Sequence, residues 1–95
     1  MIAVVSAPAV PDHLKGYIGR FLQQMGPSIF VGKISRRRAD SLWEQLVDKA
    51  SEGGIIMVCS ANNDAGFDIK ICNIRDWGIV DFDGILLPVV KRHLH

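Results

Sequence analysis

A chain of 95 residues, 48% of them hydrophobic, suits one small domain around one core, and a formal net charge of +1 excludes a uniformly basic or acidic surface. No run approaches the ~20 apolar residues that span a bilayer, and Met1-Ile2-Ala3-Val4-Val5 has neither the basic nor the apolar region of a secretory leader, so a cytoplasmic protein is expected. Cys59 and Cys72 lie in apolar or alternating runs without metal-ligand spacing, which predicts buried free thiols rather than a disulfide or zinc site.

Ile2 to Val5 is apolar at every position, the pattern of a central strand covered on both faces, and Pro8 and Pro11 end it. From Asp12, expected to cap a helix, Leu14, Ile18, Phe21, Leu22 and Met25 recur at helical spacing up to Gly26-Pro27, predicting about four turns. Gly16 and Gly19 inside that span cost about 1 kcal/mol each relative to alanine, so a close approach to that turn is expected. Ser28 to Gly32 reads as a second strand. Ser35 then caps a second helix whose apolar face is Ala39, Leu42, Trp43, Leu46, Val47 and Ala50, running up to Gly53-Gly54. Its far flank carries Asp40, Glu44, Asp48 and Glu52 at steps of four, a stripe of like charges best kept in water.

Ile55 to Cys59 is a second continuously apolar strand, Asn62 to Gly66 is turn chemistry, and Phe67, Ile69 and Ile71 alternate with Asp68 and Lys70 in a half-exposed hairpin strand. A loop is expected through Trp77-Gly78 and Asp81-Phe82-Asp83-Gly84; the last four lack the remaining ligands of a calcium loop. Ile85 to Val90 closes the chain as a strand. Pro88 cannot donate to a ladder, so this strand belongs at a sheet edge, where it invites pairing with another subunit. Strand, helix, strand, helix, strand, strand and a terminal strand make one α+β, ferredoxin-like domain over residues 1–95, an antiparallel sheet with two helices on one face.

Charge along the chain is segregated. Residues 13–39 hold Lys15, Arg20, Lys33, Arg36, Arg37 and Arg38 with no acid, whereas residues 40–83 hold nine acids against Lys49, Lys70 and Arg75. Opposed blocks of this kind suit two different partner surfaces, one for a polyanion. Arg36-Arg37-Arg38 follows the Ser35 cap directly, so cations occupy a first turn that is already positive by its macrodipole and normally favours acids by roughly 0.3–1 kcal/mol each. Local stability does not explain them. An external row of phosphates would, with guanidinium forks and helix amides as donors; the alternative is a solvated arginine cluster partly neutralised by Asp40 one turn on.

Val10-Pro11-Asp12-His13-Leu14-Lys15-Gly16, Phe30-Val31-Gly32-Lys33-Ile34-Ser35, Leu42-Trp43-Glu44-Gln45, Glu52-Gly53-Gly54, Asn62 through Phe67 and Val80-Asp81-Phe82-Asp83-Gly84 occur in the order and spacing of one family. Over nearly its whole length the chain resembles CRISPR-associated protein 2 of the type I-E subtype. The resemblance implies a ferredoxin-like homodimer whose last strand adds to the partner's sheet. It also implies a place in the spacer-acquisition integrase, where the small dimer bridges two dimers of the larger subunit, CRISPR-associated protein 1, and holds the middle of a double-stranded DNA. The family's DNA-facing positions fall on His13, Lys15, Arg37 and the neighbourhood of Arg75. Charge alone adds Lys33, Arg36 and Arg38. The family's docking and dimer-pairing tail corresponds to Ile85, Leu86, Leu87, Val89 and Val90.

One departure bears on chemistry. The family usually carries an acid at the end of the first strand, where two copies across a dimer axis could hold a divalent metal for phosphodiester hydrolysis. Here that stretch is Val5-Ser6-Ala7-Pro8, without a carboxylate, and Mg²⁺ typically needs one or two. The expectation is a DNA-binding subunit with no catalytic residue, metal or required cofactor. Its alternatives are a metal-dependent endonuclease using acids such as Asp12 or Asp64 from both subunits with Mg²⁺, and a ligand-binding regulatory module. His13, His93 and His95 have no Ser or Cys partner in a recognisable motif, and Trp77 beside Arg75 reads as a core or interface aromatic.

Overall fold

The computed structural model describes residues 1–74 together with the backbone of Trp77–Phe82 and Ile85–Val90. β1 (Ile2–Ser6) occupies the middle of a five-stranded antiparallel sheet, between β3 (Ile29–Lys33) and β4 (Ile55–Ser60). A two-residue β2 (Gln23–Gln24) pairs with the outer side of β3, and β5 (Phe67–Cys72) with that of β4, giving the order β2-β3-β1-β4-β5. α1 (Asp12–Ile18) links β1 to β2 across β3, and α2 (Arg36–Lys49) links β3 to β4 across β1. Those two interleaved crossovers are the ferredoxin-like arrangement, extended by β5.

The short β2 replaces the last turns expected of the first helix. Gly19 closes α1, and the amides of Arg20 and Phe21 donate back over three residues to Tyr17 O (3.1 Å) and Ile18 O (3.0 Å), which tightens the turn. Leu22, 3% exposed, then drops into the core and Gln23 and Gln24 join β3 opposite Val31 and Phe30. The apolar spacing continued past the helix end because Ile18 and Leu22 fill the same core from two kinds of backbone. Gly32 makes room for that crossing: a Cβ there would lie 3.3 Å from Leu22 Cδ2. The expected close approach at Gly16 is not found, since a Cβ there would meet no atom within 4 Å, and Gly19 faces only the carbonyls of its own preceding turn. Asp12 is the first helical residue and not the cap; Pro11 holds that place without a side-chain bond.

α2 begins as the sequence indicates: Ser35 Oγ accepts from Arg38 N at 3.2 Å and Ser35 O from Ala39 N at 2.9 Å. It ends at Lys49 with Ala50 as cap, so Glu52 lies beyond the helix and the acidic stripe is Asp40, Glu44 and Asp48. Ser51 takes the left-handed turn (φ 55°), and its carbonyl accepts from Asn73 Nδ2 at 2.9 Å, with Gly53 O sharing the same donor at 3.2 Å. The Asn63–Gly66 turn is built by side chain and glycine together: Gly66 (φ 84°) donates to Asn63 Oδ1 at 2.8 Å.

β6 (Trp77–Phe82) and β7 (Ile85–Val90) form a separate antiparallel pair, Trp77 opposite Val90 and Phe82 opposite Ile85. The loop expected over 77–82 is therefore a strand. Trp, Ile, Val and Phe outweigh one glycine and one aspartate in β preference. β7 lies at an edge, as Pro88 requires. Arg75, Asp83-Gly84 and the basic tail Lys91-Arg92-His93 with His95 lie outside the described residues.

Strand register sorts the sheet into two unlike faces. Ala3, Val5, Ala7, Phe30, Ile55 and Met57 are buried beneath Leu14, Ile18, Leu42 and Leu46 of the helices. The opposite parity brings Val4 between Val31 and Val58, Val58 beside Ile69, and Ile56 beside Ile71. That second face is apolar too, yet Ile2 and Ile29 on it are 44% and 37% exposed, and Val4, Val31, Ile56, Val58 and Ile71 are half-buried. Ile69, next to the side of the sheet that adjoins the β6–β7 pair, is buried.

Gly53 sets the contact between the two loops at the sheet end where β1 finishes. A Cβ would stand 2.6 Å from Ala9 O and 2.9 Å from Val10 Cγ1. Gly53→Ala should therefore destabilise the domain by about 1–3 kcal/mol in urea unfolding, with an unchanged m-value.

Candidate nucleic-acid interface

β1 and β3 run in opposite directions, so the end of the sheet where β3 finishes also holds the amino terminus and the start of α2. Met1 N donates to Ile34 O at 3.1 Å, and Lys33 pairs with Ile2 across the ladder. Lys33, Arg36, Arg37 and Arg38 are all exposed there, with no carboxylate in the first turn of α2. The segment following α1 reaches the same end, because Phe21 lies under Arg38. His13 stands in the first turn of α1, at the other end of the domain, and half-buried Lys15 follows two residues later on the same helix. The fold thus gathers Lys33 with the three arginines and leaves His13 apart.

The three arginines are not equivalent. Arg36 Nη2 approaches Asp68 Oδ2 at 3.8 Å, where Asp68 also accepts from Asn63 Nδ2 at 3.0 Å. Arg38 lays its guanidinium over the Phe21 ring, 5.0 Å from the centroid. Among the described residues Arg37 has no ion-pair or hydrogen-bond partner. A repeat of one residue type in sequence becomes three different states because successive helical residues point about 100° apart.

Arg36, although exposed, belongs to a small charged network. One turn along α2, Asp40 Oδ1 accepts from Lys70 Nζ at 3.4 Å, so α2 and β5 are joined by two ion pairs of opposite polarity. These pairs are well exposed, and each is worth roughly 0–1 kcal/mol. Asp68 and Lys70 project toward the helices because their apolar neighbours Ile69 and Ile71 take the other face. Asp40 is consequently neutralised within the chain, which breaks the acidic flank read from the sequence.

Cys59 lines the small cavity beneath this network together with Met57 and Ala39. Both cysteines are free and half-buried rather than fully buried. Burial pushes the Cys59 thiol up from its ordinary value; the Lys70 and Arg36 cations oppose that shift and the Asp40 and Asp68 carboxylates add to it. A neutral thiol of this sort is a poor nucleophile at neutral pH. No three His, Cys, Asp or Glu side chains converge as a metal site among the described residues, and Ser6, at the end of β1, lies on the open face between Ile29 and Ile56. No described helix is long and apolar enough to cross a membrane.

Sequence reasoning missed the aromatic support of this surface. Tyr17 and Phe21 meet edge to face with centroids 5.2 Å apart, Lys49 Nζ sits 5.7 Å above Tyr17, and Arg38 covers Phe21. Their spacing of four residues was a signal for contact, but it gave no indication of which residues of α2 would cover the rings. The sequence did mark the arginines, which no internal contact of the first turn requires.

A family model described as CRISPR-associated protein (Cas_Cas2CT1978) matches residues 1–87, so the chain belongs to that CRISPR-associated family.

The state of Cys59 yields a direct test. Its alkylation by iodoacetamide should be slow at pH 7 and should still be accelerating above pH 9, because the raised thiol loses its proton later than an ordinary one. Mass spectrometry of the Cys59 peptide across pH checks this; a rate that levels off below pH 8.5 would contradict it.

Proposed function

We propose that this chain is the type I-E small subunit of a spacer-acquisition integrase, a homodimer that holds duplex DNA by its phosphates and bridges dimers of CRISPR-associated protein 1. Family membership supplies the setting. The observation that carries the DNA-binding part is the start of α2: exposed Arg37 and Arg38, with Lys33 beside them, crowd the positive end of a helix dipole that has no acid in its first turn. Such a site is at odds with itself until an anion arrives, and a polyphosphate satisfies several donors at once. Arginine and lysine contacts to phosphate read no base, so the binding is independent of sequence.

The dimer is supported by the second apolar face of the sheet. Val4, Val31, Ile56 and Val58 form a contiguous half-buried patch with exposed Ile2 and Ile29 at its margins, a surface that a second copy could cover by packing face to face. The terminal strand Ile85–Val90 has one described neighbour, β6, and its other edge is the segment that the family resemblance assigns to the partner's sheet or to the larger subunit. On this reading Ser6 lies at the dimer face in place of the family's acid, and the chain acts by positioning DNA while strand transfer occurs on the larger subunit.

If each subunit neutralises three or four phosphates, log K for duplex binding should fall with log salt at a slope of roughly −5 to −7 per dimer. Duplexes of unrelated sequence should bind within a factor of about two of one another. Fluorescence anisotropy over a salt series measures both. A slope near −1, or a marked base preference, would remove the proposal.

Dimerisation has its own test. Val58→Asp places a carboxylate at the centre of the open face without touching the helix-side core, and should convert the dimer to a folded monomer in sedimentation. A variant that remains dimeric would move the interface elsewhere.

A further inference from the structure

We propose that Phe21 is a positioning residue for Arg38, so that Arg38 meets DNA phosphate already oriented; this rests on the phosphate-binding reading above. The Phe21 ring is half-buried against the core and fixed from behind by Tyr17 at 5.2 Å, whereas the Arg38 side chain is exposed. The Arg38 guanidinium carbon lies 5.0 Å over the ring centroid, within reach of the aromatic quadrupole, and its edge N–H groups have no carboxylate partner among the described residues. Those edge donors are the ones that bind a phosphate in bidentate fashion. The stack also addresses the clash at the helix start: the negative face of the ring offsets part of the dipole repulsion that Arg38 would feel in open water. Lys49 over Tyr17 has no such need, because a cation in the last turn of α2 is favoured by the dipole.

Different roles therefore follow for adjacent residues. Arg36 is directed toward Asp68 and the charged network, Arg37 reaches out with no described partner, and Arg38 is held. Ordering a long side chain on binding costs conformational entropy, and Arg38 has met part of that cost before the ligand arrives.

The test uses the whole chain and a fluorescein-labelled mixed-sequence DNA duplex. Arg38→Ala should reduce the steepness of the salt dependence by about 0.9 per subunit. Phe21→Leu should weaken binding about two- to fivefold per subunit, Phe21→Tyr should restore it, and Phe21→Leu should add no further loss in the Arg38→Ala background. NMR of the unaltered protein without DNA gives an independent reading: Arg38 Nε–H should be more ordered than Arg37 Nε–H. Losses that add in the double variant, or equal mobility of the two arginines, would overturn this proposal alone. Failure of the unaltered protein to bind duplex at low salt would overturn the phosphate reading and this proposal with it.

Discussion

β1 needs apolar cover on both faces, and among the described residues the helices supply it on one. Ala3, Val5 and Ala7 are fully buried under the helices, while Val4 on the opposite parity stays half-buried between Val31 and Val58. A two-layer α+β domain of this size has one core, and its two helices are both spent on the same side of the sheet. The sequence of β5 sharpens the point. Its apolar residues Ile69 and Ile71 turn away from the helices, and Asp68 and Lys70 turn toward them; Ile69 is buried where β5 adjoins the β6–β7 pair, and Ile71 stays half-buried. The uncovered face is thus a property of the alternation itself, and the proposed dimer answers it.

The helix layer presents the opposite problem, too much unmet charge. Three arginines open α2, and the fold disposes of them unequally: an ion pair for Arg36, a ring for Arg38, and no described partner for Arg37. Asp68 and Lys70 are available to α2 because β5 turns its isoleucines to the other face, so the apolar arrangement of one layer decides the electrostatics of the other. Exposed ion pairs are weak, and their effect here lies more in aiming side chains than in holding the domain together.

Much of this was legible in the residues. Period-two and continuous apolar runs located β1, β3, β4 and β5, Ser35 marked the start of α2, and Asn63 with Gly66 marked the hairpin turn. What escaped has physical reasons. Leu22 kept the helical period while the backbone had already left the helix, so β2 was hidden inside a pattern set by the shared core. Gly78 and Asp81 masked β6, since turn-formers are read locally whereas a strand is stabilised by its neighbour across the ladder. At the site, the charge of the arginines was visible but their direction was not: which one meets Asp68 and which meets Phe21 depends on tertiary contacts that helical spacing alone does not encode.

The two surfaces are compatible because they lie on opposite sides of the sheet. Packing the apolar faces of two copies together leaves both helix layers outward, and with them both starts of α2. In the proposed dimer this packing would consume hydrophobic area and none of the arginines, leaving the cations of both copies exposed. On the proposed function, a single subunit would offer few phosphate contacts, each eroded by counterion competition, and two subunits on one duplex would multiply that modest term through an effective concentration. If the proposed function holds, the apolar alternation of the strands would matter to nucleic-acid binding even though no residue of that face need touch DNA.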